Sequence, residues 1–232
     1  MLALLYDIHG NLLALDAVLE DAERSGADRY LLGGDYTLFA ARPGETLDRL
    51  ERLPAAGWIR GNGERWTASP DEAPDIELVR SAIDACAAEL GPERVRRLAA
   101  LPEQALRGGT RYCHGSPVSD VRSFFPAPTD ADAEMLDDAA EARIVFGHTH
   151  LAFRRVADVD GRQVELINPG SVGMPFDGDP RAAYALVSDG GEVELRRVPY
   201  DHRAAANEVR RRLGPWAETV ARRIEAARFD VD

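Results

Sequence analysis

An α/β protein is the fold class this sequence predicts, and three observations carry the expectation. Short apolar runs alternate with helix-period stretches through residues 2–60, a β-α-β-α-β order that places helices against a sheet. These runs stop abruptly at glycine, acid, amide or histidine, as strands do where their carboxyl ends open onto a ligand crevice. The last third changes to alternating strands that turn at Asp160-Gly161 and Gly190-Gly191, two hairpin signals.

The first strand, from Leu2, ends at Asp7-Ile-His9. Asn11 can cap the helix that follows, whose Leu12, Leu15, Val18, Leu19 and Ala22 share one face up to Gly26. Arg29–Leu32 is a second strand, terminated by Gly33-Gly34-Asp35. Pro43 opens a helix to Leu53, and Gly57–Arg60 reads as a third strand ending in Gly61-Asn62-Gly63-Glu64. Ile76 to Leu90 has helical periodicity, Gly91-Pro92 stops it, and a shorter helix carries Val95, Leu98 and Leu101. This pair breaks the alternation and is expected as a helical insertion near 70–102, beside the cleft. Thr110–Cys113 is a strand ending at His114-Gly115, and a loop rich in Pro and Phe leads to a helix near 130–140. Arg143–Phe146 ends in Gly147-His148-Thr149-His150. Two hairpins then join the sheet or form a second one. From Tyr200 the stripe Val209, Leu213, Trp216, Val220 and Ile224 marks a helical cover, broken or kinked at Gly214-Pro215. One two-layered domain is the economical reading.

Composition narrows the function. A length of 232 residues with 45% hydrophobic content suits a packed globular chain. No leader peptide and no membrane-length apolar run is expected, and two cysteines outside any C-x-x-C pair suggest a reduced, cytoplasmic setting. A net charge of −12 argues against gripping long nucleic acid by its phosphates. The 28 basic residues include no lysine, which excludes a Walker-type loop, a Schiff base and a Ser-Lys dyad. Anions must then be met by arginine, backbone or metal.

Of the five histidines, His9, His114, His148 and His150 each follow a strand directly, as do Asp7, Asp35 and Asn62. A single histidine there would be an ordinary hydrogen-bonding residue. Seven such groups at strand ends point instead to metal, because those ends converge. Seven N and O ligands without sulfur exceed one tetrahedral zinc and suit two cations of higher coordination. With Asp35 bridging, each cation gains three or four ligands. Two cations about 3.5–4 Å apart turn a bridging water into a nucleophile for in-line attack on a phosphoryl group.

Together Asp7-x-His9, Gly34-Asp35, Gly61-Asn62-x-Glu64, His114-Gly115 and Gly147-His148-x-His150 resemble the calcineurin-like metallophosphoesterase family, in particular its small bacterial phosphodiesterase-like members. Asn168-Pro-Gly-Ser171-Val-Gly resembles the segment that follows the last ligands there. The resemblance implies a four-layer α/β/β/α sandwich over residues 1–200, with 201–232 as a helical cover of the same domain. It implies one metal on Asp7, His9, Asp35 and His150, and another on Asp35, Asn62, His114 and His148, with Asn62 also touching phosphate. The metals expected are Mn first, then Fe, Zn, Ni or Co, and the partner a small phosphorylated substrate. No membrane partner is expected; a homo-oligomer is left open.

One position departs from that pattern. The family's histidine after the asparagine, credited with helping the leaving group depart, is Gly63 here. Activated diesters or anhydrides are therefore the expected substrates, with dinucleoside polyphosphate hydrolysis, phosphomonoester hydrolysis and a weakly active metal-binding scaffold as alternatives. Glu64 is a candidate acid, against a role in bonding local backbone. Arg60 and Arg65 can bind phosphate, against pairing with surface acids. Trp66, Tyr36, Phe39, Phe124 and Phe125 can stack a base, against plain packing.

Overall fold

The computed structural model describes residues 1–159 and 161–231. The Asp160 half of the expected Asp160-Gly161 turn lies outside them. Among the described residues ten strands form two five-stranded sheets of mixed direction. In the first, β1 (Leu2–Leu5), β2 (Arg29–Leu32) and β3 (Ala55–Trp58) run parallel, linked by α1 (Leu12–Arg24) and α2 (Pro43–Leu50). In the second, β4 (Gln104–Arg107) pairs antiparallel with β5 (Thr110–Cys113), which runs parallel to β6 (Arg143–Val145).

Each expected hairpin joins a different sheet. β7 (Phe153–Val159) and β8 (Arg162–Asn168) extend the second, and β9 (Ala182–Val187) and β10 (Val193–Val198) extend the first. The sequence reading of a single two-layered body therefore gives way to two sheets face to face. Leu4, Tyr6, Leu31 and Ile59 of one meet Tyr112, Val145 and Ile167 of the other in a core that contains all of them. Burying each such side chain contributes about 1.5–3 kcal/mol. Strands buried on both faces lose the alternation that would have told one sheet from two.

Helices cover the outer faces and complete the four layers. The stripe Ala14, Leu15, Val18, Leu19 and Ala22 of α1 is wholly buried, and Asn11 caps it by accepting from the Ala14 N–H at 3.2 Å. On the second sheet, α5 (Ala131–Leu136) and Phe124 pack over Ile144, Phe146 and Leu166. α4 (Glu77–Ala99) buries Val79, Ile83, Cys86, Leu90, Val95 and Leu98 in the same cluster as α1, so it is structural wall as well as flank of the cleft. Gly91 breaks it, with φ 75° and ψ 162°, at the position the Gly-Pro pair predicts. β3 begins two residues earlier than expected, directly after Pro54, and the edge strand β4 is new. Its half-exposed Gln-Ala-Leu-Arg carries no apolar alternation to announce it.

α3 (Asn62–Ala68) follows β3, and α6 (His202–Leu213) and α7 (Glu218–Ala226) close the chain. Their Ala206, Val209, Val220 and Ile224 pack with Ala40, Ala41 and Met174, next to the carboxyl ends of the parallel strands. His202 starts α6 beside its Asp201 cap, a structural place. Among the described residues no helix is long and apolar enough to cross a membrane.

Candidate active site

Because β1, β2 and β3 share one direction and β5, β6 and β8 another common one, each sheet delivers its strand ends together. Backbone bonds lock the two sets edge to edge. Val172 and Gly173 donate across to the carbonyls of Tyr6 and Asp7, while within the second sheet Gly147 donates to the His114 carbonyl at 2.7 Å. Ser171, fully buried, donates to the Asp7 carbonyl at 2.7 Å, and Asn168 holds the Gly147 carbonyl at 3.0 Å. This explains the Asn168–Gly173 segment as the clamp between the sheets.

At that seam five non-glycine residues adopt a left-handed backbone: Asp7, His9, Asp35, His148 and His150, with φ between 54° and 65°. Such conformations cost about 1–3 kcal/mol each and gather where function requires them. Here the strain aims side chains inward, and the neighbouring strand restrains it: Asp7 N–H donates to Gly34, His9 N–H to Asp35, and Gly10 N–H to Tyr36. Gly34 itself has φ 98°, and a Cβ there would sit 2.7 Å from the His114 Nδ1.

The imidazoles disclose what the site lacks in protein partners. Nδ1 of His9 faces the Leu38 carbonyl, Nδ1 of His150 the Met174 carbonyl and Nδ1 of His114 the Gly33 carbonyl. A carbonyl only accepts, so each Nδ1 carries the proton and, in the neutral ring, Nε2 bears a lone pair. Burial lowers the pKa of His9 and lowers that of His150 well below its ordinary value. Their two Nε2 lone pairs nevertheless confront each other at 3.0 Å. Oδ1 of Asp7, buried and without a hydrogen-bond partner, lies 3.6 Å from the His150 Nε2 and 3.8 Å from the His114 Nε2. The facing Nε2 atoms of the neutral His9 and His150, beside an unpartnered Asp7 oxygen, fit a cation, and carbonyl-anchored imidazoles are the usual outer support of metal ligands.

Asp35 stands between two halves. Its Oδ2 is 4.0 Å from the His9 Nε2, its Oδ1 is 3.5 Å from the His114 Nε2, and Oδ1 also accepts from the Gly63 N–H at 2.7 Å. Within the site, Asp7, His9 and His150 form one group of mutually close ligand atoms and Asp7, Asp35 and His114 another. The Asn62 oxygen lies 3.0 Å from the His114 Nε2 and faces the His148 Nδ1; reversing the amide would instead place its nitrogen 2.8 Å from that Nδ1 as a donor. The orientation with oxygen inward is the one a second cation requires. All seven predicted ligand residues thus meet at one place.

Electrostatics follow from burial. Desolvation, with the nearby Asp35, pushes the Asp7 carboxyl up to about 8. Burial alone would lower His114, but the carboxylates of Asp35 and Asp7 hold it at about 10. Burial likewise works to raise Asp35, and the charge and hydrogen bond of His114, with the Gly63 N–H, overcome it and keep Asp35 well below the usual carboxylate range. Burial and the His114 charge bring His148 down to about 4. Burial thus favours a proton on Asp7, and the two carboxylates favour one on His114, so a divalent cation held by these groups would compete with protons for them. Metal uptake is expected to release roughly one to two protons at pH 7 and to weaken as pH falls. Calorimetry in buffers of different ionisation enthalpy measures this; uptake without proton release would contradict it.

Three expectations need correction. Glu64 is 2% exposed and both its oxygens are taken: Oε2 accepts from the Asp35 and Gly61 N–H groups, each at 2.9 Å, and Oε1 from Tyr36 at 2.8 Å. It organises backbone and presents no face to a leaving group, so the acid role is dropped. Arg65 clasps Asp120 through two 2.7 Å bonds and reaches Glu72, while Arg60 pairs with Glu103 and donates to the Ala99 carbonyl. Surface acids thus take up most of both guanidinium groups, which weighs against a phosphate role, although the Arg60 Nε has no partner and both arginines line a smaller cavity beside His114. Among the aromatics, Tyr36 and Phe124 are core, while Phe39, Trp66 and Phe125 line the cleft. Cys86 is a buried thiol pushed up to about 12 by desolvation, and burial raises Cys113 as well, which leaves both inert.

Gly63 has a steric reason. A Cβ there would lie 2.9 Å from Asp35 Oδ1, so in this backbone geometry a side chain would require the central carboxylate to shift. Sequence reasoning missed Phe176, which stacks on His150 at 4.4 Å between ring centres and 12° between planes. Its place eight residues past Asn168, in a loop without periodicity, gives no signal of this.

The sequence pattern of the calcineurin-like phosphoesterase superfamily domain matches residues 1–190, from the first strand through both halves of the site. The chain belongs to this superfamily. As a calcineurin-like phosphoesterase it is a metal-dependent phosphoesterase, a hydrolase. The structure of a metallophosphoesterase from Sphaerobacter thermophilus is 28% identical to it, with a TM-score of 0.80 and coverage of 97% of this chain and 98% of that one. Protein MJ0912 of Methanocaldococcus jannaschii is 28% identical over 236 residues, 93% of this phosphoesterase and 95% of that protein. The fold is also shared with protein PH1004 from Pyrococcus horikoshii OT3, at 20% identity, TM-score 0.80, and coverage of 95% and 98%. Both structures cover more of this chain than the residues 1–190 that the family pattern matches.

Proposed function

We propose that this phosphoesterase hydrolyses phosphodiesters or activated phosphate esters of small molecules at two divalent cations, with manganese the first candidate. The observation that carries the reading is the pair of bare Nε2 atoms of His9 and His150 at 3.0 Å, beside the unpartnered Asp7 oxygen. Asp7, His9, Asp35 and His150 would hold one cation, and Asp35, Asn62, His114 and His148 the other. When bound, such cations acidify a shared water and neutralise phosphoryl oxygens.

The chain's own residues do the rest. Asp7 and Asp35 bring only two negative charges, so the loaded site stays attractive to an anion within a chain of net charge −12. Nδ1–H bonds to carbonyls keep His9, His114 and His150 turned toward the seam, and the Phe176 ring covers one face of His150. No side chain at residue 63 protonates the leaving group, which favours leaving groups that depart as stable anions.

The test is a reconstituted screen of bis-aryl phosphate, aryl monoester and nucleotide anhydride, read with elemental analysis. About two equivalents of Mn²⁺ and diester or anhydride turnover abolished by chelation are expected. Equal turnover in the chelated sample, or failure to retain metal, would remove the reading. Dominant turnover of the monoester would move the substrate class.

A further inference from the structure

The cleft over the candidate ligands is far larger than a phosphate group requires. It encloses about 1110 Å³, at the upper end of small-molecule sites, and runs from His9, Asp35, Asn62 and His148 to the C-terminal helix α7. Its walls are chiefly apolar, with Phe39, Trp66, Phe125, Phe176 and Phe229 among them. A compact ester would leave most of this surface wet.

Two arginines line the same cleft. Arg122 is committed to Glu134 at 2.8 Å. Arg223, half-buried on α7, is different: its Nε donates to the Phe229 carbonyl at 2.9 Å and its guanidinium lies 4.1 Å over the Phe229 ring. Among the described residues no carboxylate pairs with it and neither terminal nitrogen has a hydrogen-bond partner. Burial lowers its pKa. A partly desolvated cation without a counter-ion is costly unless something anionic reaches it.

Its position relative to the metal ligands is fixed by stacked rings. His150 lies on Phe176, Phe176 meets Phe229 edge-on at 5.4 Å, and Phe229 carries Arg223. The opposite end of the cleft supplies the chemical limit on the substrate. With Gly63 bare and Glu64 held by three N–H groups, the leaving group has to depart without a proton from either residue. A phosphate leaving group does so readily; an alkoxide does not.

We infer that Arg223 is a positioning residue that binds a second anionic group of the substrate, distant from the phosphorus under attack. The apolar wall takes an aromatic group between the two, and the substrate class is a nucleotide anhydride such as a dinucleoside polyphosphate. This inference rests on the phosphoesterase reading above and narrows it. One water is consumed: its oxygen bonds to phosphorus as the bridging P–O bond breaks, the departing phosphate keeps the bonding pair, and the water protons pass to the products and solvent.

The test compares Arg223→Gln and Arg223→Lys with the unsubstituted full chain, all loaded with Mn²⁺. For a dinucleoside tetraphosphate against bis(p-nitrophenyl) phosphate, the kcat/KM ratio is expected to fall about tenfold in Arg223→Gln, through KM and not kcat, as the loss of one charge-assisted contact predicts. Arg223→Lys should recover most of that loss by keeping the charge. Calorimetric affinity for the methylene-bridged, non-hydrolysable analogue should fall about tenfold in Arg223→Gln as well. Equal KM changes on both substrates, or no change in affinity for the analogue, would overturn the inference. A protein that turns over neither substrate yet loses analogue affinity in Arg223→Gln would sink the function reading and leave the Arg223 assignment standing.

Discussion

Asp35→Asn is expected to release at least half of the bound metal and to lower kcat/KM on an activated diester by about a thousandfold or more, which corresponds to roughly 4 kcal/mol of transition-state stabilisation. The size follows from where the carboxylate stands. Its Oδ1 faces His114 and its Oδ2 faces His9, so one residue serves both halves of the site. An amide offers one oxygen in place of two and no charge. Its NH₂ group would either oppose the Gly63 N–H, which now donates to Oδ1 at 2.7 Å, or point at the His9 Nε2. Elemental analysis and a single-turnover assay measure both effects. His150→Ala gives the contrast, since it removes a ligand from one half only and should spare the metal near His114. Asp35→Asn protein that kept both its metal and its turnover would leave the two-cation assignment without a centre, and the scaffold alternative would gain.

Much of this site was legible because strand ends are legible. Asp7, Asp35, Asn62, His114 and His148 each interrupt an apolar run, and parallel strands bring such interruptions to one edge. The pairing of those edges was not legible. It depends on Ser171, Val172 and Gly173 bonding to the main chain of residues 6 and 7, contacts between segments that no local pattern connects. The left-handed backbone at five of the predicted ligand residues was equally hidden, since none of them is glycine. β4 escaped notice because an edge strand with a solvated face needs no alternation, and α4 was set apart because its kink at Gly91 disguised a core stripe as two short helices. Arg60 and Arg65 show the limit of motif proximity. Flanking Asn62 in sequence put them near the site, but Glu103, Asp120 and Glu72 decide where their charges point. Of the two arginines that do line the cleft, Arg223 comes from α7, more than 150 residues beyond Asn62, on a helix that read as plain packing.

Glu64→Gln separates a structural carboxylate from a catalytic acid, and its expected cost falls on stability. The native group satisfies three buried N–H donors from both sides of the site: Asp35 and Gly61 on one oxygen, Tyr36 on the other. Glutamine has a single acceptor. Placed where two donors converge, it turns its NH₂ against the Tyr36 N–H, now 2.8 Å from Oε1, and loses the charge that strengthened all three bonds. The loss is about 2–3 kcal/mol, and for a chain of this size that is a fall of roughly 5–10 °C in Tm. Thermal unfolding of the metal-free protein reads it directly. Since the Asp35 N–H is one of the three donors and Asp35 holds φ 54°, kcat should also drop, by less than about tenfold. That drop should be the same across aryl diesters whose leaving groups differ in acidity, because Glu64 does not touch the departing oxygen. A loss that steepened as the leaving group became more basic would restore Glu64 as the proton donor. A variant as stable as the parent would mean the three N–H groups find other partners, and the account of how Asp35 is held would fail with it.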